Sequence, residues 1–127
     1  MYRAEVASLG GYRFAVKSEG GAFSVDAKGA DGVTPPDLLL ASLGSCVGVY
    51  IRKYADGEKL QLGEFRVTVS GDMGKEPPFY FRDIKVSVEL AGAPLDDRRK
   101  RALSEFVKNC PVHNTMKNSP AVSVEFF

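Results

Sequence analysis

The sequence predicts an α+β domain, in the order βββ-α-ββ-α-α-β, with antiparallel sheets around one buried central helix. Two kinds of observation predict it. Short segments of alternating polarity are separated by glycine pairs, which is typical of a β-meander. One long helical segment is apolar on every side, and an amphipathic helix follows later in the chain. At 127 residues, the chain is expected to form a single domain spanning 1–127.

Three short strands open the chain. The segments YRAEVASL and YRFAVKS flank Gly10 and Gly11, and AFSVDAK follows Gly20 and Gly21. Paired glycines supply the unusual backbone angles that tight turns need, so this pattern predicts a meander of three antiparallel strands. The segment KGADGVTPP then forms a loop that ends at prolines.

The central helix is predicted to start at Pro35 and to run to about Ala55. Thr34 suits the N-cap, and Asp37 interacts favourably with the helix dipole in the first turn. A stripe of small residues lies along this helix, consisting of Ala41, Gly44, Ser45 and Gly48. Each glycine costs about 1 kcal/mol of helix stability against alanine, so the stripe suggests close packing. Two interpretations stay open: the stripe packs on the chain's own sheet, or it meets a second protomer.

The second half of the chain contains further segments with the patterns of strands and helices. LGEFRVTVSGD and YFRDIKVSVELAG predict two strands, the second with Ile84, Val86 and Val88 on one face. PLDDRRKRALSEFVKN predicts an amphipathic helix whose charged face is solvated, CPVHNTMKN a short helical turn, and AVSVEFF a closing strand.

Composition excludes several classes of function. A formal net charge of +1 gives no reason to expect nucleic acid or a membrane surface as partner. No apolar run approaches the roughly 18 residues of a membrane span, and the first residues carry no signal core, so we expect a cytoplasmic protein. Two distant cysteines and one histidine, His113, are too few for a zinc site. We expect no metal and no cofactor.

The two cysteines are the candidate reactive groups. Cys46 lies beside the small-residue stripe, and Cys110 precedes Pro111, which places it near the N-cap of the short helical turn. Helix N-termini favour the thiolate, so the two residues could form a peroxidatic and resolving pair. A buried cysteine is more often an inert, small apolar residue, and spacing alone does not decide between these interpretations.

Two motifs carry a resemblance to a known family. TPPDLLLASLGSCVGVYI resembles the central-helix motif of the OsmC/Ohr family, and VKNCPVHNTM is similar to its second-cysteine motif. The resemblance covers essentially the whole chain and implies an OsmC-like fold in an intertwined homodimer. It also implies reduction of small organic hydroperoxides, with Cys46 as the peroxidatic cysteine, Cys110 as the resolving cysteine and a dithiol as reductant. The implied role is antioxidant, in the response to oxidative stress.

The sequence departs from the family pattern around the thiolate. Peroxidase members hold the thiolate with an arginine, but AFSVDAKGADGV contains none, and its only cation is Lys28. The position of the family glutamate that orients this arginine falls on Pro36, with Asp37 next. Lys28, Asp37 and His113 are therefore the candidates for tuning the thiolate. Three arginines could replace the missing one, and no sequence signal selects among Arg3, Arg13 and Arg52.

Two functions of different classes follow. The first is a thiol-dependent peroxidase that works through both cysteines. The second is a dimeric binding protein for a small apolar molecule, with little or no catalytic activity. Retention of both cysteines favours the first, and absence of the arginine favours the second.

Overall fold

The computed structural model describes residues 1–92 and 95–127, and confirms the predicted α+β class with antiparallel sheets. In chain order the elements are β1 (Ala4–Gly10), β2 (Arg13–Ser18), β3 (Gly21–Asp26), α1 (Pro35–Gly57), β4 (Phe65–Met73), β5 (Phe81–Leu90), α2 (Asp97–Phe106) and α3 (Pro111–Asn118). No helix in the described ranges is long and apolar enough to cross a membrane. The chain divides into two compact units, residues 1–40 and residues 41–127, and the single-domain assignment stays a prediction.

The first unit contains the predicted meander. β2 pairs antiparallel with both β1 and β3, and the β1–β2 turn uses positive φ angles at Gly10 (101°) and Gly11 (58°). Side chains with a Cβ rarely adopt such angles, which explains the glycine pair. After β3, the chain loops back so that Val33 forms a bridge to Val25.

Helix α1 begins where its capping residues predict. The Asp37 N–H donates to Thr34 Oγ1 at 3.2 Å, and the Thr34 hydroxyl donates in return to Asp37 Oδ2 at 2.8 Å. Thr34 is therefore the N-cap, and Pro35 occupies the first helical position, where the missing N–H has no helical partner in any case. The helix continues to Gly57, two residues beyond the predicted end.

The second unit places its core between α1, β4 and the two C-terminal helices. Leu43, Val47, Ile51, Tyr54 and Ala55 of α1 are buried, together with Leu62, Leu103 and Cys110. The Phe106 ring lies between the rings of Tyr50 and Tyr54, at centroid distances of 6.0 and 5.6 Å. Through these ring contacts, α2 packs against the face of α1 that carries Tyr50 and Tyr54.

The two glycines of the small-residue stripe face the chain's own sheet. A Cβ added at Gly44 would lie 2.9 Å from Val69 Cγ2, and one at Gly48 would lie 3.7 Å from Phe65 Cε2. Ala41 and Ser45, by contrast, are exposed. Close packing on β4 therefore explains the glycines, and the second-protomer interpretation applies only to the other two positions.

The C-terminal elements agree with the prediction except at two places. The predicted helix start at Pro94 lies outside the described residues; α2 starts at Asp97, with the Asp96 carboxylate accepting from the Arg99 N–H at 2.8 Å. The predicted closing strand over residues 121–127 is wrong for the single chain, because the structure has no strand there. Its alternating pattern suits a strand, but no neighbouring strand in the described chain pairs with it.

Candidate functional site

Cys46 lies in the fourth turn of α1 and is half-buried. The helix turns Val47 fully inward, so Cys46 sits at the margin of the buried face and packs against the core. A thiol at this margin is held rigidly by the helix and can still be reached by a small molecule. This combination suits a nucleophile better than a fully enclosed position would.

Cys110 is fully buried and occupies the N-cap of α3, as predicted. Its Sγ accepts a hydrogen bond from the His113 backbone N–H at 3.4 Å, and Pro111 fills the first helical position. The sequence signal was local, because a proline after a polarisable side chain marks a helix start.

The structure brings the two thiols near each other, because Cys46 packs against the buried cluster that contains Cys110. Burial raises the pKa of the Cys110 thiol above its ordinary value, and the hydrogen bond with Cys46 and its like charge raise this pKa further. The backbone N–H groups of His113 and Val112 act in the opposite direction. Cys110 therefore keeps its proton beside Cys46, which is the arrangement expected of a resolving thiol next to an accessible partner.

The three candidates for tuning the thiolate occupy different places. The contact between His113 and the pair is made by its backbone N–H on the Cys110 sulfur. Lys28 lies in the first unit, with its ammonium 4.9 Å from the centroid of the Tyr12 ring. The Asp37 carboxylate belongs to the cap of α1 and accepts from Thr34. Roles for Lys28 and Asp37 towards Cys46 stay predictions.

Each arginine proposed as a substitute has an interaction of its own. Arg3 pairs with Glu5 at 3.0 Å, and Arg13 lies 3.8 Å from Asp31. Arg52 donates to the Gly63 carbonyl at 3.0 Å and stacks over the Phe65 ring at 5.0 Å. Arg52 shares the unit and the helix of Cys46, yet its guanidinium is used to fasten α1 to the start of β4.

An apolar groove of about 540 Å³ lies in the second unit, and neither cysteine is among its lining residues. Leu43 and Val47 of α1 and His113 of α3 line it; Val47 follows Cys46 in sequence, and His113 comes three residues after Cys110. The remaining lining comes from β5, α2, the short 3-10 turn Val107–Asn109 and α3, chiefly Ile84, Val86, Val88, Leu103, Val107 and Met116, with Lys108 and Lys117 among the polar residues. Such a groove can hold an alkyl or aryl group.

Sequence reasoning identified the apolar face of β5 but not the groove. The groove requires β5, α2 and α3 to converge on α1, and no short motif records that convergence.

Asp26 was also missed as a structural residue: its buried carboxylate accepts from the Lys28 and Asp31 N–H groups at 2.9 and 3.0 Å. These hydrogen bonds lower the Asp26 pKa. Among the described residues, no group of three or more His, Cys, Asp or Glu side chains could hold a metal ion.

Comparisons with known proteins agree with this architecture. A family model described as OsmC-like protein matches residues 27–125. An OsmC-like protein from Mycoplasma pneumoniae has a TM-score of 0.83 and 22% identity, covering 94% of this chain and 89% of its own.

Organic hydroperoxide resistance proteins are among the similar solved structures. An organic hydroperoxide resistance protein OsmC from Legionella pneumophila has a TM-score of 0.69 and 20% identity, over 92% of this chain and 89% of its own. An organic hydroperoxide resistance protein from Elizabethkingia anophelis has a TM-score of 0.68 and 22% identity, over 94% and 91%. At these identities the structures show the shared fold. No curated protein sequence matches the chain.

Proposed function

The chain belongs to the OsmC-like protein family, and on that premise we propose that it is a thiol-dependent peroxidase that reduces organic hydroperoxides through Cys46 and Cys110. The observation that carries this proposal is the proximity of the two thiols, one on α1 and one at the N-cap of α3, which are far apart in sequence. Two of the similar structures are organic hydroperoxide resistance proteins, which supports the same chemistry.

The proposed cycle has three balanced steps. The Cys46 thiolate attacks a peroxide oxygen, so that an S–O bond forms, the O–O bond breaks, and the alkoxide leaves as the alcohol after taking a proton. The Cys110 thiol then attacks the resulting sulfenic acid, forming a disulfide and releasing water. A dithiol reductant reopens the disulfide by exchange and is itself oxidised to a disulfide.

The two cysteines differ in the ways this cycle needs. Cys46 is half-buried and can meet a hydroperoxide, whereas Cys110 is fully buried with a raised thiol pKa and can meet only its neighbour. The groove beside Val47 provides room for the organic part of the substrate. The proposal includes Lys28, Asp37 and the His113 N–H as groups that influence the thiolates.

The proposal also includes a homodimer in the cytoplasm, where cellular reductants keep thiols reduced. Two large apolar side chains on the outer side of α1, Leu39 and Val49, are 44% and 50% exposed in the single chain. Exposed apolar surface of this kind, on the helix that carries Cys46, favours coverage by a second protomer.

The test is peroxide consumption with cumene hydroperoxide and hydrogen peroxide, driven by a dithiol reductant. We expect faster turnover of cumene hydroperoxide, and loss of turnover in Cys46→Ser. Mass spectrometry after one equivalent of peroxide should show two thiols converted to one intramolecular disulfide. In Cys110→Ser, Cys46 should be trapped as a sulfenic acid and then overoxidise. Survival of both thiols in excess peroxide would refute the proposal.

A second function, binding of a small apolar molecule without turnover, is favoured by one observation. The groove is predominantly apolar, and its larger side chains belong to rigid helices and a strand. Isothermal titration with cumyl alcohol, which has no O–O bond to break, separates the two functions. Binding by a protein whose thiols resist peroxide would support the binding function, whereas peroxide turnover in wild type and its loss in Cys46→Ser support the enzyme.

A further inference from the structure

A disulfide between Cys46 and Cys110 offers a reductant two sulfurs to attack. Attack at one sulfur forms the mixed disulfide there and releases the other cysteine as a thiolate. The choice depends on access to the attacked sulfur and on how well the released thiolate is stabilised. The structure distinguishes the two cysteines on both counts.

Access favours attack at Cys46. This residue lies at the margin of the buried face of α1 and is half-buried, whereas Cys110 is 0% exposed. An attacking thiolate approaches in line with the S–S bond, from the side opposite the leaving sulfur. Attack at Cys110 would therefore need a path through the buried cluster that contains it.

Backbone donors stand ready for a thiolate at Cys110. Its Sγ accepts from the His113 N–H at 3.4 Å at the start of α3. Pro111 has no N–H, and the first N–H groups of a helix have no carbonyl partner within it, so those of Val112 and His113 are available to the sulfur. The Asn114 N–H donates instead to the Cys110 carbonyl, at 3.0 Å. Hydrogen bonds of this kind strengthen when the acceptor becomes an anion.

The influences on the Cys110 pKa change when Cys46 enters a mixed disulfide. With both thiols free, burial, the hydrogen bond with Cys46 and its like charge raise this pKa, and the N–H groups of His113 and Val112 lower it. Once Cys46 is bonded to the reductant, its charge and its S–H are absent, and burial alone opposes the two N–H groups. Cys110 is therefore a better leaving group at this step than its pKa beside a free Cys46 indicates.

Resting on the two-cysteine cycle proposed above, we propose that the dithiol reductant attacks Cys46 and that the His113 N–H stabilises Cys110 as the leaving thiolate. One reductant thiol loses its proton to solvent, and its sulfur bonds to Cys46 as the Cys46–Cys110 bond breaks. The electron pair stays on the Cys110 sulfur, which then takes up a proton. The second reductant thiol loses its proton and attacks the reductant sulfur of the mixed disulfide, which releases Cys46 as a thiolate and oxidises the reductant to a disulfide.

The first test identifies the attacked sulfur in the wild-type protein. Diamide, which takes up the two thiol hydrogens, forms the disulfide without peroxide. An excess of the monothiol 2-mercaptoethanol is then added, acid stops the exchange within the first turnover, and peptide mass spectrometry locates the adduct. We expect roughly tenfold more adduct at Cys46 than at Cys110. More adduct at Cys110, similar amounts at both, or no intramolecular disulfide with diamide would overturn the proposal. Because no peroxide is used, a protein that resists peroxide would refute the peroxidase function and leave this result to be decided separately.

The second test removes the N–H donor. His113→Pro deletes this N–H at a first-turn position, where proline breaks no hydrogen bond within the helix. The matched variant His113→Ala loses the same imidazole and keeps the N–H. Dithiothreitol should reduce the diamide-formed disulfide roughly three- to tenfold more slowly in His113→Pro than in His113→Ala, because the exchange rate follows the leaving-thiol pKa in part.

A pH profile separates this effect from a change in packing. In a Cys46→Ala background, the pH midpoint of Cys110 alkylation should be higher with His113→Pro than with His113→Ala, whereas altered access changes only the maximal rate. Equal midpoints, or equal reduction rates in the two variants, would show that the N–H does not act on the leaving sulfur. The trapping experiment uses wild type, so it tests the site of attack even where His113→Pro fails to fold.

Discussion

Substitution of the two glycines in α1 by alanine should have opposite effects on stability, although both lie in the same helix. Either change gains about 1 kcal/mol of helix propensity. At Gly44, the new Cβ would lie 2.9 Å from Val69 Cγ2, so the short, branched valine must move. At Gly48, the Cβ would lie 3.7 Å from Phe65 Cε2, an ordinary van der Waals contact.

The magnitudes follow from these two contacts. Overpacking costs about 1–3 kcal/mol, so Gly44→Ala should destabilise the fold by about 0–2 kcal/mol after the helix gain is subtracted. Gly48→Ala should stabilise it by up to about 1 kcal/mol. The difference between the variants, about 1–3 kcal/mol, is independent of the propensity gain because that gain is common to both.

Urea unfolding at one fixed protein concentration measures this difference. A double-mutant cycle with Val69→Ala tests whether the clash with Val69 causes this difference in stability. Removing both Cγ atoms should relieve the clash, so that Gly44→Ala becomes favourable in that background. If Gly44→Ala is as stable as Gly48→Ala, or if Val69→Ala leaves its effect unchanged, the packing argument is wrong. A loss that appears only at low protein concentration would instead place Gly44 at a protein interface.

The accuracy of the sequence predictions depended on how locally each signal acts. Thr34, Pro35 and Asp37 form a helix start within four residues, and the two hydrogen bonds between Thr34 and Asp37 confirm it. Cys110 and Pro111 do the same for α3. Capping is a contact between residues three positions apart, so the sequence contains almost all the information that determines it.

Features that depend on contacts far apart in sequence were predicted only in part. The motifs singled out Cys46 and Cys110, but only docking of α3 near α1 brings the thiols together and buries one of them. Residues 121–127 have the pattern of a strand, yet a strand also needs hydrogen bonds to a neighbouring strand, and the described residues form none there. The burial of Asp26 and its hydrogen bonds to the loop were not predicted, because a buried carboxylate in a turn has the same local sequence as an exposed one.

Two further predictions concern titrating groups. Loop N–H groups lower the Asp26 pKa, so its contribution to stability is present above the unfolded-state value of about 3.9 and is lost as pH falls through the lower folded value. Asp26→Asn should therefore lower the urea midpoint at pH 7, with a difference that shrinks below about pH 4; a constant difference would contradict this. For Cys110, burial and Cys46 both raise the thiol pKa, so its alkylation midpoint should lie above the ordinary 9.0. In Cys46→Ala the hydrogen bond and like charge are absent while burial stays, so this midpoint should fall yet remain raised. The pH midpoint of the alkylation rate reports ionisation of the thiol, whereas easier access of the reagent to Cys110 changes only the maximal rate at high pH. An unchanged midpoint in Cys46→Ala would show that the two thiols do not interact.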